Sequence, residues 1–195
     1  MPTSRSSRQP FRSGAGRLCL DFIRTLRHRG RSCAEEELAT PERLASWIAQ
    51  FGLCDTLPPA PAPEQVADAH ALREAVNELI TAARGPGGTA SCPSGARQTV
   101  NTAAAAPIPV PHLRPDGQLR RRADDPIAAG LALIARDALA LIDSEDLARI
   151  RACANADCRV LFIDHSRPGT RRWCSMQTCG NRAKKAAQRN RATGG

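Results

Sequence analysis

The residues best suited to chemistry are four cysteines near the end of the sequence. Cys153 and Cys158 form one pair and Cys174 and Cys179 a second, each with four residues between its members, and fifteen residues separate the pairs. A short loop brings two thiolates to one ion at about 2.3 Å, and a second loop completes a tetrahedral four-sulfur shell, which suits zinc best. Because four thiolates leave no open coordination position, the spacing predicts one structural Zn²⁺ per chain.

Three other interpretations of these cysteines stay open. Two disulfides would each close a very small loop, and no secretory segment indicates an oxidising compartment. The thiolates could also act as a redox switch, because oxidation would release the metal. His165 could replace a cysteine as ligand, although its position in the middle of a turn is more typical of an exposed, unligated histidine.

The segments around the cysteines predict a small fold that depends on the metal. Residues 159–163 are β-prone, a following Pro-Gly pair predicts a turn, and residues 171–173 are expected to return as the second strand of a hairpin. A run free of Pro and Gly then predicts a helix over residues 182–191. A knuckle, a hairpin and a helix around one ion describe a treble-clef-like finger, whose apolar content is too small to fold without zinc.

Charge is distributed unevenly along the chain, whose formal net charge is +9. Residues 151–195 contain ten Lys or Arg and two acids, whereas residues 32–150 contain ten and sixteen. Residues 1–17 are rich in Arg and Ser, which predicts a disordered basic arm. Both basic ends are expected to attract polyanions.

The basic side chains of the finger are the candidate nucleic-acid contacts. Arg182, Lys185 and Arg189 recur at i, i+3 and i+7, which places them on one helical face. Positions near the helix start are expected at base edges and later ones at phosphates. The full set of candidates is Arg171, Arg172, Arg182, Lys184, Lys185, Arg189 and Arg191.

Hydrophobic periodicity between residues 18 and 150 predicts a helical domain. Thr40-Pro41 and Asp125-Pro126 are helix starts, and a long helix is expected over residues 64–84. Asp116-Gly117 predicts the turn of a small β-hairpin, and the Gly-rich residues 85–95 predict a mobile loop. The fold class is therefore mainly α: a helical domain with a small β-hairpin over residues 18–150, then the finger over residues 151–195, ending in a basic helix.

Absent motifs narrow the function. The sequence has no Gly-rich phosphate loop, no nucleophile elbow and no deaminase signature, so no enzyme is predicted. No run approaches the roughly 18 apolar residues of a membrane span. The remaining four cysteines are scattered singly, which favours a reducing, cytoplasmic location.

The finger resembles a known bacterial family. Cys179-Gly180-Asn181-Arg182 is similar to the tetrad of the CGNR zinc finger, and Phe162, Asp164 and Ser166 also match that pattern. Residues 20–25 resemble the start of the ABATE domain, with Arg24 where that family usually has Asn. The resemblance implies a stress-induced transcription regulator.

Two hypotheses follow from these patterns. The first is a zinc-dependent DNA-binding transcriptional regulator, responsive to stress or to a small-molecule ligand of the helical domain, in which a homodimer or the basic N-terminal arm adds the contacts that one finger lacks. The alternative is a zinc-stabilised module that binds RNA or an acidic protein without sequence-specific DNA readout.

Overall fold

The computed structural model describes residues 11–55 and 61–193, which form a mainly helical fold with three short antiparallel ribbons. The α-helices in this part of the chain are α1 (Leu18–Ile23), α2 (Pro41–Gln50), α3 (Pro63–Ala83), α4 (Ser94–Ala105), α5 (Pro126–Ile142) and α6 (Asn181–Thr193). The ribbons pair β1 (Leu26–Arg27) with β2 (Glu35–Glu36), β3 (Val110–Leu113) with β4 (Leu119–Arg122), and β5 (Ile150–Ala152) with β6 (Leu161–Ile163).

The helix starts expected from the sequence are confirmed at two positions. The Thr40 hydroxyl accepts the backbone N–H of Arg43 at 3.4 Å, and Pro41 occupies the first turn of α2. One Asp125 carboxylate oxygen accepts the N–H groups of Ile127 and Ala128, each at 3.0 Å. Each cap satisfies N–H groups that would otherwise lack partners at the helix start.

The core forms where α1, α2, α4 and α5 pack around the long helix α3. Trp47 of α2 is fully buried, stacked on Phe51 with ring centroids 4.3 Å apart and edge-on to Phe22 at 5.2 Å. Aromatic pairs in these arrangements add to the free energy gained from apolar burial. Much of the remaining core is aliphatic, as a chain with four Phe, two Trp and no Tyr requires.

The chain between α1 and α2 differs from expectation. The apolar pattern predicts a helix from Leu18 to Gly30, but α1 ends at Ile23 and a two-residue strand follows. The Thr25 hydroxyl donates to the carbonyl of Phe22 at 2.7 Å, which caps the short helix. Residues 85–95, expected to be a mobile loop, include the 3₁₀ turn Gly88–Ser91.

The expectation of a disordered arm over residues 1–17 is wrong for residues 11–17. Phe11 and Ala15 are 3% and 1% exposed, so this segment contributes to the core. The buried carboxylate of Asp21 accepts the N–H groups of Gly14 at 3.1 Å and Ala15 at 3.0 Å. The composition of residues 1–17 predicts disorder because it contains no information about the Asp21 carboxylate that holds this segment. Residues 1–10 lie outside the described residues.

Within the described ranges, no helix combines the length and apolar character that crossing a membrane requires.

Candidate metal centre and nucleic-acid interface

The four cysteines predicted as metal ligands come together in the finger. Their Sγ atoms all lie within 4.8 Å of one another. Cys158 and Cys174 are 3.6 Å apart at sulfur, and Cys174 and Cys179 are 3.7 Å apart. A tetrahedral shell with metal–sulfur bonds of about 2.3 Å has edges of about 3.8 Å, so these spacings fit a zinc ion. The same spacings are far too long for disulfides, and all four thiols are free.

The electrostatics of the cluster show what a bound cation would change. A hydrogen bond from the Cys174 thiol lowers the pKa of Cys158 to about 5. Donating that hydrogen bond raises the pKa of Cys174 far above its usual value, and burial together with the neighbouring thiolate raises the pKa of Cys179 to about 11. Four sulfurs this close cannot all ionise by themselves. One structural Zn²⁺ supplies the charge that would hold all four as thiolates.

Two loops present the thiolates. In the first, Cys158 follows a turn in which the Asn155 carbonyl accepts the N–H of Cys158 at 2.9 Å, and the Asn155 side chain accepts the N–H of Asp157 at 2.9 Å. In the second, the Ser175 hydroxyl accepts the N–H of Thr178 at 3.3 Å, and the π-helical turn Met176–Gly180 leads into α6. Cys179 therefore fixes the start of the basic helix to the metal centre.

The predicted hairpin of the finger is wrong in its partner strand. Strand β6 pairs with β5, in the register Ile150 to Ile163, and not with residues 171–173. The carbonyl of Arg172 instead accepts the N–H of Ala154 at 2.8 Å, and the buried Asp164 carboxylate accepts the N–H of Arg171 at 2.8 Å. Separate contacts such as these, and not a strand ladder, hold the returning segment.

The candidate nucleic-acid residues divide into two groups. Arg171 is directed into the finger: its guanidinium donates to the carbonyls of Trp173, at 2.8 Å, and Cys174, and lies 4.8 Å from the centre of the Phe162 ring. These contacts stabilise the finger and leave the Arg171 side chain half-buried. The candidates with exposed side chains are Arg172, Arg182, Lys184, Lys185 and Arg189. Arg191 lies in α6, but its side chain lies outside the described residues.

The finger is joined to the helical body at several points that sequence reasoning missed. The N–H of Ile163 donates to the carbonyl of Ala15 at 2.8 Å, on the edge of β6 that faces away from β5. Arg31 forms an ion pair with Asp157 at 3.3 Å and donates to the carbonyl of Ala156 at 2.8 Å. Nothing in the local pattern around Ala15 or Arg31 predicts these contacts, since their partners lie more than 120 residues away.

Arg24 is part of this junction. Its side chain is 6% exposed, pairs with Asp21 at 3.2 Å and donates to the carbonyl of Ser13 at 3.2 Å. Arg24, Arg182 and Cys158 line a cavity of about 20 Å³ where α1 meets the finger. The beginning of α6 therefore faces the body as well as solvent.

Neither His165 nor His70 joins the metal cluster. His165 is exposed and lies 3.8 Å from the Asp146 carboxylate. His70 is half-buried beside the core, with its ring 3.0 Å from the Leu38 carbonyl and 3.5 Å from the Glu36 carboxylate. His70 thus lies at the margin of the core.

Comparison with known families covers both parts of the chain. A family model named ABATE and described as "Putative stress-induced transcription regulator" matches residues 16–145. The CGNR zinc finger model matches residues 149–192, in the same order along the chain as the resemblance implies. Neither description is that of an enzyme family. No curated protein matches the chain.

Proposed function

We propose that this chain, which belongs to the ABATE family and carries a C-terminal CGNR zinc finger, is a zinc-dependent transcriptional regulator that binds DNA through α6. The observation that supports this proposal is the exposed basic face of α6, fixed at its first residues to a four-cysteine metal centre. Cys179 is a predicted zinc ligand, and Arg182, Lys184, Lys185 and Arg189 follow it within three turns with exposed side chains.

The number of basic side chains sets the expected strength of binding. The four exposed cations of α6 provide at most about four phosphate contacts, so the slope of log affinity against log salt is no steeper than about −3.6. Affinity should then fall by up to about two orders of magnitude between 50 and 200 mM salt, and by less where Arg182 or Lys185 contacts a base edge. One finger is therefore a weak binder at cellular salt, so tight binding needs additional contacts from a second copy or another basic segment.

The rigid junction supports a regulatory role for the helical body. The contacts of Ile163 with Ala15 and of Arg31 with the first zinc loop fix the finger against α1 and its flanking segments. A stress signal or ligand sensed by the body would act by its differential affinity for two arrangements of this junction. Such an effector, and action in the cytoplasm, stay predictions.

The test is selection of DNA by the full-length, zinc-loaded protein from a random duplex library, followed by anisotropy titration of the selected sequence. The proposal expects one enriched sequence that binds at least a hundredfold more tightly than random duplex at 150 mM salt. The double variant Arg182→Ala/Lys185→Ala should lose that preference. Arg167→Ala, which removes an exposed arginine outside α6, is the matched control. Equal affinity for selected DNA, random DNA and RNA would instead identify an interaction module without sequence readout.

A further inference from the structure

The β3–β4 hairpin projects from the helical body with its side chains exposed. All eight residues of its two strands are exposed. Of the four large hydrophobic side chains that are exposed in the described part of the chain, three are on this hairpin: Val110 at 59%, Leu113 at 67% and Leu119 at 67%. A two-stranded ribbon is marginally stable in water by itself. This one is also held to the body at Arg121, whose carbonyl accepts the N–H of Asp55 at 3.2 Å.

The tip of the hairpin presents an apolar pair. Leu113 and Leu119 are direct cross-strand partners, which places both side chains on one face of the ribbon. His112 and Arg120, the next pair, point to the opposite face. A paired leucine knob suits an apolar hole and has no complement in a phosphate backbone, so the hairpin is suited to protein and not to nucleic acid.

The charge of the hairpin indicates which protein would bind it. Residues 110–122 contain four arginines and one acid, whereas the rest of residues 32–150 contains six basic and fifteen acidic residues. The β3–β4 hairpin is thus a basic element on an acidic helical body. The acidic surface that complements the hairpin in charge is that of another copy of the same chain.

An apolar groove that could receive the knob lies between α3, α4 and α5. It has a volume of about 480 Å³, and its floor includes Leu72, Ala103 and Leu131. Asp68 and Thr102 lie at its mouth with exposed side chains. The groove therefore offers apolar contact for leucine and a carboxylate for an arginine of the hairpin.

The base of the hairpin and the groove lie next to each other on the surface. Ala128 lines both the groove and a second cavity of about 410 Å³ beneath strand β3. When a protomer carries both a knob and a groove, a two-fold axis between two copies lets the knob of each enter the groove of the other. The assembly then closes as a dimer.

We propose that a second copy of this chain covers the hairpin, with Leu113 and Leu119 of each protomer seated in the α3–α4–α5 groove of its partner. The dimer places two basic α6 helices in one particle. It requires no ligand and no nucleic acid.

Analytical ultracentrifugation of the full-length, zinc-loaded protein tests the proposal. The unaltered protein should sediment as a dimer at micromolar concentration. Leu113→Ser/Leu119→Ser, which removes the knob, and Thr102→Arg, which obstructs the groove, should each weaken dimerisation by about a hundredfold or more, as loss of central anchors does. His112→Ser, on the opposite face of the ribbon, is the control and should remain dimeric.

Mixing the two variants gives the sharpest test. The knob-less protomer keeps an intact groove and the groove-blocked protomer keeps an intact knob, so an equimolar mixture regains one of the two contacts and should form heterodimers.

All the altered residues are exposed, and circular dichroism verifies that each variant is folded; Asp68→Lys replaces Thr102→Arg if that variant unfolds. A monomeric parent protein, a dimer unaffected by the knob variant, or a mixture without heterodimers would overturn the proposal. Loss of DNA binding by a knob variant that remains dimeric would identify nucleic acid as the occupant and overturn it too.

Discussion

The backbone N–H of Ile163, in the strand that carries the finger, donates a 2.8 Å hydrogen bond to the carbonyl of Ala15, near the other end of the chain. Ala15 thereby lies at the free edge of β6, opposite β5. The finger is therefore bound to the body from two sides, through β5 and through the N-terminal segment.

Two glycines beside Ala15 allow a matched test of this contact. Gly14 and Gly16 both have positive φ, +92° and +100°, so alanine costs roughly 1–2 kcal/mol in backbone strain at either position. A Cβ at Gly14 would meet nothing within 4 Å, whereas one at Gly16 would lie 3.0 Å from the Cβ of Ile163. Gly16→Ala should therefore destabilise the protein by about 1–3 kcal/mol more than Gly14→Ala in urea unfolding. Equal losses would mean that Gly16 does not pack against the finger.

The carboxylate of Asp21 holds the same segment in place. Asp21→Ala leaves the N–H groups of Gly14 and Ala15 without an acceptor and the buried guanidinium of Arg24 without its charge partner. Losing one member of a buried pair costs about 3–5 kcal/mol. Thermal or urea unfolding should show this loss, and Asp124→Ala, which removes an exposed carboxylate, should change the free energy of unfolding by less than about 0.5 kcal/mol.

Local patterns predicted much of the fold because their signals lie within a few residues of the structure they specify. The cysteine spacing indicated the metal site, and the Thr40 and Asp125 caps indicated where α2 and α5 begin. Each signal depends on hydrogen bonds or ligands within one turn or loop. The alternation of the β3–β4 hairpin and its Asp116-Gly117 turn are of the same kind.

The features that the sequence did not predict depend on distant partners. Residues 161–163 are β-prone in isolation, but whether they pair with residues 150–152 or 171–173 depends on packing against the body. Arg171 looks like a phosphate contact by charge alone, and the carbonyls of Trp173 and Cys174 that accept its hydrogen bonds become close only when the finger folds. Neither the strand pairing nor the hydrogen bonds of Arg171 can be predicted from composition.

The protein should contain one zinc per chain, and only the finger should need zinc in order to fold. Elemental analysis of the reduced, purified protein should find one zinc per chain. Cys158→Ser should lower that ratio and unfold residues 150–193, because apolar burial in the finger is too small to offset its chain entropy. Far-UV circular dichroism should retain most of the signal from α1–α5. Cys33→Ser, at an exposed cysteine outside the cluster, is the control, and a metal-free parent protein would contradict the prediction.

Stability should fall in acid through the Glu36–Arg73 pair. Burial would raise the pKa of Glu36, but hydrogen bonds from Arg73 at 2.6 and 2.7 Å, together with the Leu38 N–H, lower this pKa below its usual 4.5. A lowered folded-state pKa stabilises the protein above the unfolded pKa, and the stabilisation is lost as pH falls through the folded pKa.

The variant Glu36→Gln should therefore be less stable by about 2 kcal/mol at pH 7, because a charge-assisted hydrogen bond to the buried Arg73 is weakened. It should also show a shallower loss of stability between about pH 5 and pH 3 than the parent protein, since one fewer carboxylate is linked to folding. Urea unfolding across this pH range measures both effects. Glu78→Gln, an exposed change on α3, the helix that carries Arg73, should reproduce the parent profile.

Binding through α6 should depend on salt in proportion to its exposed cations. Arg189→Ala should weaken binding to selected and random duplexes by the same factor and reduce the magnitude of the salt slope by about one, as expected for a phosphate contact. Arg182→Ala should instead reduce the preference for the selected sequence, because a base contact contributes about 1–3 kcal/mol of discrimination. Anisotropy titrations of both duplexes between 50 and 200 mM salt separate these outcomes. If neither variant changes slope or preference while zinc remains bound, α6 is not the nucleic-acid surface, and the basic residues of this helix serve only to solvate it.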